Sequence, residues 1–429
     1  MKIAVIGAGF TGLTAAYHLA GLGHEVEVFE QAAVPGGLAM GFTSSGWDWA
    51  LEKHYHHLFV SDAGLRELAA EIGVPITFTR PQTSTFYAGG IYQLDSALSL
   101  LRFPHLSLWD RFRTGFGLAL LKFNPFWQPL EKLTSEKYIR TVMGNRSWEV
   151  IWEPLFRGKF ADSAEKISAA WFWARIFKRS EKLGYPEGGF ANFISRLASA
   201  AAGRGVKLHY SAPVARITSG SAGAAVTIQG KKPRQFSAVI CTLPSAAFAQ
   251  MTPDLPVGYR QFITAPQGIG AVNLVLSLTR SFLTRGTYWL NINDRSMPYL
   301  AVVEHTNFIT SGHYAGNHLL YIGNYLPADH EFFRKTPQEL LRLFTPHLRK
   351  INPDFSPDWV NASWIWQAKF AQPVVTVNYS RQIPKLTTPL SGIYLANIQQ
   401  VYPWDRGTNY AVELGYRVAN LVHKDLLPQ

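Results

Sequence analysis

Residues 7–12 read Gly-Ala-Gly-Phe-Thr-Gly and stand at the junction of two patterns. Lys2 to Ile6 is a short apolar run suited to a strand, and from Leu13 to Leu22 apolar and small residues recur at helical spacing. A strand that turns into a helix through three glycines has a specific physical use. Gly7 allows the tight turn, Gly9 lets a pyrophosphate approach the backbone, and Gly12 lets the helix pack close to the strand. The helix start, with Phe10 and Thr11, then presents free N–H groups and a positive dipole end to phosphate. A second strand, Glu25 to Phe29, ends in Glu30-Gln31. An acidic residue about 20 positions past the glycines is the ribose-hydroxyl ligand of such a unit. Strand, helix, second strand and terminal Glu30 in register predict a dinucleotide site, against the alternative of a Gly-rich turn in an unrelated α/β unit.

Gly36-Gly37-Leu38 lies six residues beyond Glu30. Here the chain resembles the superfamily of flavin amine oxidases, protoporphyrinogen oxidases and phytoene desaturases, which carries a Gly-Gly pair where the chain passes the FAD pyrophosphate. The resemblance recurs in order along the sequence. Gly158 and Asp162 precede Ser168, similar to the stretch before a Ser helix cap. Pro186-Glu187-Gly188-Gly189-Phe190 opens a helical run, and Val214 begins the strand whose backbone meets the adenine. Near the end, Ala396-Asn397, Pro403 and Gly407-Thr408-Asn409-Tyr410 resemble the last strand and the helix whose N-terminus points at the flavin. The family usually has Gly-Asp or Gly-Glu where this chain has Ala396-Asn397. Asn397 can hydrogen-bond a ribityl hydroxyl but brings no charge.

The resemblance implies noncovalently bound FAD and an α/β fold: a Rossmann-like FAD-binding domain with a discontinuous substrate domain of antiparallel sheet plus helices. The implied FAD domain takes residues 1–85, 188–245 and 385–429. A helical part of the substrate domain takes 86–187, and a sheet part takes 246–384. Alternating runs such as Val272 to Leu278 and His318 to Ile322 read as antiparallel strands. Leu100 to Phe177 is dense in Phe and Trp with Arg and Lys between them. It reads either as an aromatic core with a basic surface or as a greasy substrate tunnel or membrane-facing collar.

The net charge of +12 attracts anionic partners. Lys231, Lys232 and Arg234 form the nearest basic cluster and read as a hairpin tip, so nucleic acid is not expected. Cys241, the only cysteine, lies in an apolar run and reads as a buried structural thiol. No signal peptide or membrane span is expected: Lys122 interrupts the most apolar stretch, Phe116 to Trp127. The expected location is cytoplasmic, with peripheral contact to an anionic membrane.

Trp47 to Phe59 contains Lys53, His54, His56 and His57, where the family usually carries small residues beside the flavin ring. On a strand, His54 and His56 would share one face and His57 the other, so no metal site is expected. His56 and Lys53, with His54 beside them, are the candidate proton acceptors; a buried structural imidazole is the alternative. The implied activity is hydride removal from an apolar or amine-bearing small molecule. This segment also resembles, locally, that of UDP-galactopyranose mutase, which implies instead non-redox flavin catalysis on a nucleotide sugar. A FAD-binding protein without turnover is the third alternative.

Overall fold

The strand Lys2–Ile6 sits at the centre of a five-stranded sheet. Glu25–Phe29 and then Lys207–His209 lie on one side of it, Ala238–Cys241 and then Ile393–Leu395 on the other, every pair parallel. The computed structural model describes residues 1–220 and 223–427. The last two positions of the expected C-terminal segment lie outside the described residues. Parallel strands must be covered on both faces. On one face lie the helices Phe10–Gly21, Gly189–Gly203 and Thr408–Leu426, burying Leu13, Leu19, Phe193 and Val418. On the other a three-stranded antiparallel sheet packs Ile217 and Val226 against Ala4, Val239 and Cys241. Burial pushes the Cys241 thiol up to about 12, so it stays protonated and inert.

Two glycines set how closely these layers meet. A Cβ on Gly12 would lie 2.0 Å from the Gly7 carbonyl oxygen, and one on Gly415 would lie 2.7 Å from that of Thr11. The N-terminal helix is thereby pressed onto its strand and onto the C-terminal helix.

A second sheet has seven strands in the order Val360–Pro373, Gly268–Leu278, His318–Leu326, Ala301–Glu304, Thr287–Ile292, Gln82–Tyr87 and Gly90–Gln93. All neighbours are antiparallel except Thr287–Ile292 with Gln82–Tyr87. The strand Gln82–Tyr87 runs through the boundary expected at 85/86, so residues before the helical part also belong to this sheet. The helical part comprises Leu108–Phe123, Ser135–Val142, Glu153–Phe160 and Ala169–Phe177. Ser168 caps the last of these through the Ala170 amide at 3.2 Å. Its core is aromatic: Phe156 packs edge to face on Trp171 and tilted against Trp148.

Arg234 departs from the expected hairpin tip. It lies in the strand Arg234–Phe236, where its guanidinium donates to the buried Glu27 carboxylate at 2.5 and 2.6 Å. No helix among the described residues is long and apolar enough to cross a membrane.

Candidate functional site

The first half of the site is a cradle of backbone. Gly7 has φ +101°, which an L side chain rarely adopts. A Cβ built on Gly9 would meet no atom within 4 Å, so that position faces open space. The helix that starts there has no side-chain cap, leaving its first N–H groups for a ligand. The Gly36 amide donates to the Ala8 carbonyl at 3.0 Å, and a Cβ on Gly37 would lie 3.5 Å from Gly9 Cα. The two glycine turns therefore abut, with the half-buried Leu38 following. Glu30 accepts from the Ala8 amide at 2.8 Å and the Ala32 amide at 2.9 Å. Each carboxylate oxygen keeps a further lone pair for a ribose hydroxyl. Gln31 is exposed at the strand end, and the half-buried Val214 opens the strand that pairs with Ile228. At the other end, Gly407 precedes the helix Thr408–Leu426, again without a side-chain cap and with Thr408 buried at its first position. The open face at Gly9, the uncapped helix starts and the placement of Glu30 fit FAD.

Three of the expected cofactor contacts have side chains engaged within the protein. The Phe10 side chain points into the core between Phe190 and Phe193, so only its amide can face a ligand. The Asn397 amide donates to the Leu243 carbonyl at 3.0 Å, and its oxygen accepts from the Gln399 amide at 3.0 Å. It ties the end of the sheet to the next turn and is not free for a ribityl hydroxyl. Asn409 accepts from the Leu65 amide at 2.9 Å and donates to Glu413 at 2.8 Å, joining two helices. Tyr410 stacks on Trp404 at 5.8 Å.

The His segment is not the expected strand. Only Leu51–Glu52 and Leu58–Phe59 pair, and residues 53–57 run free between them. The face alternation is therefore lost. The Asn273 amide donates to His54 Nδ1 at 2.6 Å. His56 Nδ1 lies 2.5 Å from the His54 carbonyl oxygen and must donate to it, leaving Nε2 as an acceptor. His57 sits among Phe59, Tyr288 and Trp289. Burial lowers the basicity of all three, His56 to about 4 and His54 and His57 to about 3. Burial thus favours the neutral form of all three near pH 7. Lys53 lies 4.4 Å over the Trp366 ring and 3.2 Å from Met40 sulfur, and burial lowers its pKa too.

The sequence reading missed the charged centre beside them. Asp405 and Arg406 end the loop before the C-terminal helix. Asp405 accepts from Trp171 Nε1 at 2.9 Å and from Arg175, and lies 3.6 Å from Lys159. Arg406 donates to Gln372 at 2.9 Å and to the Tyr325 hydroxyl, over whose ring it stands at 5.3 Å. Its charge reaches His54, Tyr55 and His56, so the two groups form one wall. Although its burial opposes ionisation, Asp405 is held well below the usual carboxylate range by Lys159, Arg175 and Arg406. Burial, with the two arginines, holds Lys159 well below the usual lysine range, and Asp405 opposes that shift only in part. Asp405, Arg406 and the three histidines each keep accessible surface although most of their surroundings are protein, which places them on an interior wall. The only hint in the sequence was the charged pair Asp405-Arg406 immediately before a helix start.

Two other grooves do not compete with this wall. One of about 440 Å³ is lined by Arg140, Glu153, Asn293 and Arg295, and Glu153 is neutralised there by Arg157 and Arg295. The other, beside Arg66 and Phe78, holds no further titratable group. Among the described residues no group of three or more His, Cys, Asp or Glu could hold a metal ion.

The family described as flavin-containing amine oxidoreductase matches residues 10–423. No curated protein matches the chain in sequence. Among solved structures, an oxidoreductase from Methanosarcina mazei is 20% identical, with 98% of this chain and 100% of that one aligned at a TM-score of 0.77. A reduced UDP-galactopyranose mutase is 14% identical over 100% of this chain and 96% of that one, TM-score 0.78. A putrescine oxidase bound to putrescine is 16% identical over 99% of both chains, TM-score 0.74. At such identities the likeness is one of fold.

Proposed function

Because the chain belongs to the flavin-containing amine oxidoreductases and takes FAD as its cofactor, we propose that it oxidises a small molecule held by an anionic group, a carboxylate or a phosphate. One observation carries this reading. Arg175 and Arg406 flank a single carboxylate, Asp405, on the interior wall next to the C-terminal helix start, with the Lys159 amine 3.6 Å from the same carboxylate. Such an excess of cations repels a protonated amine and attracts an anion. Bound FAD supplies the hydride acceptor.

The chain's own residues do the rest. The Arg406 guanidinium, braced by Gln372 and Tyr325, offers its remaining N–H groups to the substrate anion. Neutral His56 presents Nε2 as a hydrogen-bond acceptor and orients a substrate hydroxyl or amino group. Lys159, its pKa lowered, takes the proton lost from that heteroatom as the hydride leaves the adjacent carbon. Aromatic groups around the wall, including Trp171 and Tyr55, exclude water.

Anaerobic titration of the yellow holoprotein tests the reading. Hydroxy or amino acids of suitable size bleach the flavin, and a diamine of the same carbon skeleton does not. Bleaching by the diamine alone overturns the proposal. The same cations favour one second reading, rearrangement of a nucleotide diphosphate sugar without net redox change. In that case a nucleotide sugar perturbs the flavin spectrum without bleaching it. A protein without turnover responds to neither.

A further inference from the structure

Half of the large apolar side chains exposed among the described residues lie within positions 98–126, a small fraction of the chain. Most are on the 16-residue helix Leu108–Phe123, about 24 Å long at the usual rise. Leu108, Trp109, Phe112, Phe116, Leu120 and Phe123 fall on one arc of about 120°. Their exposure is high: Phe116 is 61% exposed and Phe123 82%. The opposite face buries Thr114, Gly117 and Leu121 against the helical part. The helix is thus apolar on both faces, and only the inner one is covered.

Positive charge accompanies the open face. Between residues 96 and 130 stand Arg102, Arg111, Arg113 and Lys122, against the single accessible acid Asp110. Asp110 is engaged at the helix start by Ser107 at 2.6 Å. Arg111 donates to the Leu101 and Leu106 carbonyls, Arg113 to the Thr141 carbonyl, and Lys122 to the Phe177 and Arg179 carbonyls. These bonds fix the side chains and leave their charge uncompensated.

We propose that this face docks on an anionic lipid bilayer, the aromatic side chains entering the headgroup region and the basic ones meeting lipid phosphate. An exposed aromatic stripe flanked by Arg and Lys is the pattern of a helix that lies in a membrane interface. A second copy of the chain fits less well. In a two-fold dimer the same patch meets itself, bringing uncompensated cations together. The inference is independent of the substrate reading.

The test mixes holoprotein with phosphatidylcholine vesicles, with or without phosphatidylglycerol, and measures the share of protein that sediments with lipid. The anionic vesicles retain at least about tenfold more protein, and added salt reduces it. The combined substitution Trp109→Ser, Phe112→Ser and Phe116→Ser removes the association while flavin content stays normal. If that variant loses flavin, the charge reversal Arg102→Glu on an exposed side chain replaces it, and weakens binding by about tenfold. Equal sedimentation with both vesicle types, or lipid binding unchanged in these variants, overturns the proposal. So does a solution dimer that the triple substitution converts to monomer while wild type ignores lipid.

Discussion

The nucleotide cradle and the proposed substrate wall present different atoms to a ligand. In the first, the groups left open are backbone amides at Gly9 and at the start of the C-terminal helix, with one carboxylate, Glu30. Their neighbours are small, and their spacing is set by a few consecutive residues. In the second, every polar group is a side chain, and the cluster draws on five separate segments. Lys159 and Arg175 come from two helices, Tyr325 and Gln372 from two strands, and Asp405-Arg406 from a loop. Backbone recognition fixes which cofactor class the chain holds. In the proposed reading, side-chain recognition fixes what reaches it, and can change without disturbing the fold.

If that division is right, the sharpest break comes from two glycines one helical turn apart. Gly9→Val places its Cβ where the protein has no atom within 4 Å, so the fold is largely kept and FAD is lost almost completely. Gly12→Ala places a methyl 2.0 Å from the Gly7 carbonyl oxygen, so folding itself fails. Absorbance of the bound flavin and thermal unfolding separate the two outcomes. Normal flavin content in Gly9→Val would show that the turn is not where the phosphates bind.

The opposite result is expected across the molecule. Arg406→Gln keeps the flavin but removes the cation that meets the substrate and leaves Tyr325 without its charged partner. Truncating one member of a buried charged pair costs about 2–5 kcal/mol, so kcat/KM falls by roughly a thousandfold. Steady-state kinetics at matched flavin content read this. An unchanged kcat/KM would detach the cationic cluster from the reaction.

The same division explains what was legible in the sequence. The glycine turn, Glu30 and the parallel strands follow from contiguous residues whose spacing has one physical meaning. Asn397 and Asn409 stood at positions where the resemblance implies cofactor contact, yet the Leu243 carbonyl and Gln399 amide engage the first, and the Leu65 amide and Glu413 carboxylate the second. No pattern in the sequence shows which partner an Asn will find. His54 to His57 looked like a strand, but Asn273 and the aromatic neighbours pull the chain out of any ladder. The cluster of Lys159, Arg175 and Arg406 was illegible because its members meet only after two sheets and the helical part have packed.

Glu52 stands at the seam and sharpens the comparison. It accepts from the Tyr185 hydroxyl and the Phe190 amide, both at 2.7 Å, while its own carbonyl accepts from Tyr321 of the large sheet. Burial raises its carboxyl from 4.5 to about 7. The folded state therefore binds a proton more tightly than the unfolded state. Its contribution to stability is full below about pH 4.5, falls as pH rises, and is lost above pH 7. Glu52→Gln stays neutral throughout and keeps an acceptor for Phe190. Its stability relative to wild type should rise between pH 5 and 8 by about 2–3 kcal/mol, as measured by urea unfolding of holoprotein. A difference that does not vary with pH would mean that Glu52 is ionised in the fold.

The smallest effect belongs to the residue that looked most catalytic in the sequence. His56 is held by the His54 carbonyl and by Phe190, and burial lowers its basicity to about 4. A group so weakly basic takes up no second ring proton at pH 7 and is a poor proton acceptor. It retains Nε2 as a fixed acceptor, worth roughly 1–1.5 kcal/mol to a bound hydroxyl or amine. His56→Gln should therefore slow flavin reduction by only about tenfold, and the loss should be the same from pH 6 to 9. Stopped-flow reduction across that range decides it. A loss of a thousandfold or more, or a wild-type rate that titrates near pH 6.5 and ceases to do so in the variant, would restore His56 as the base and displace Lys159.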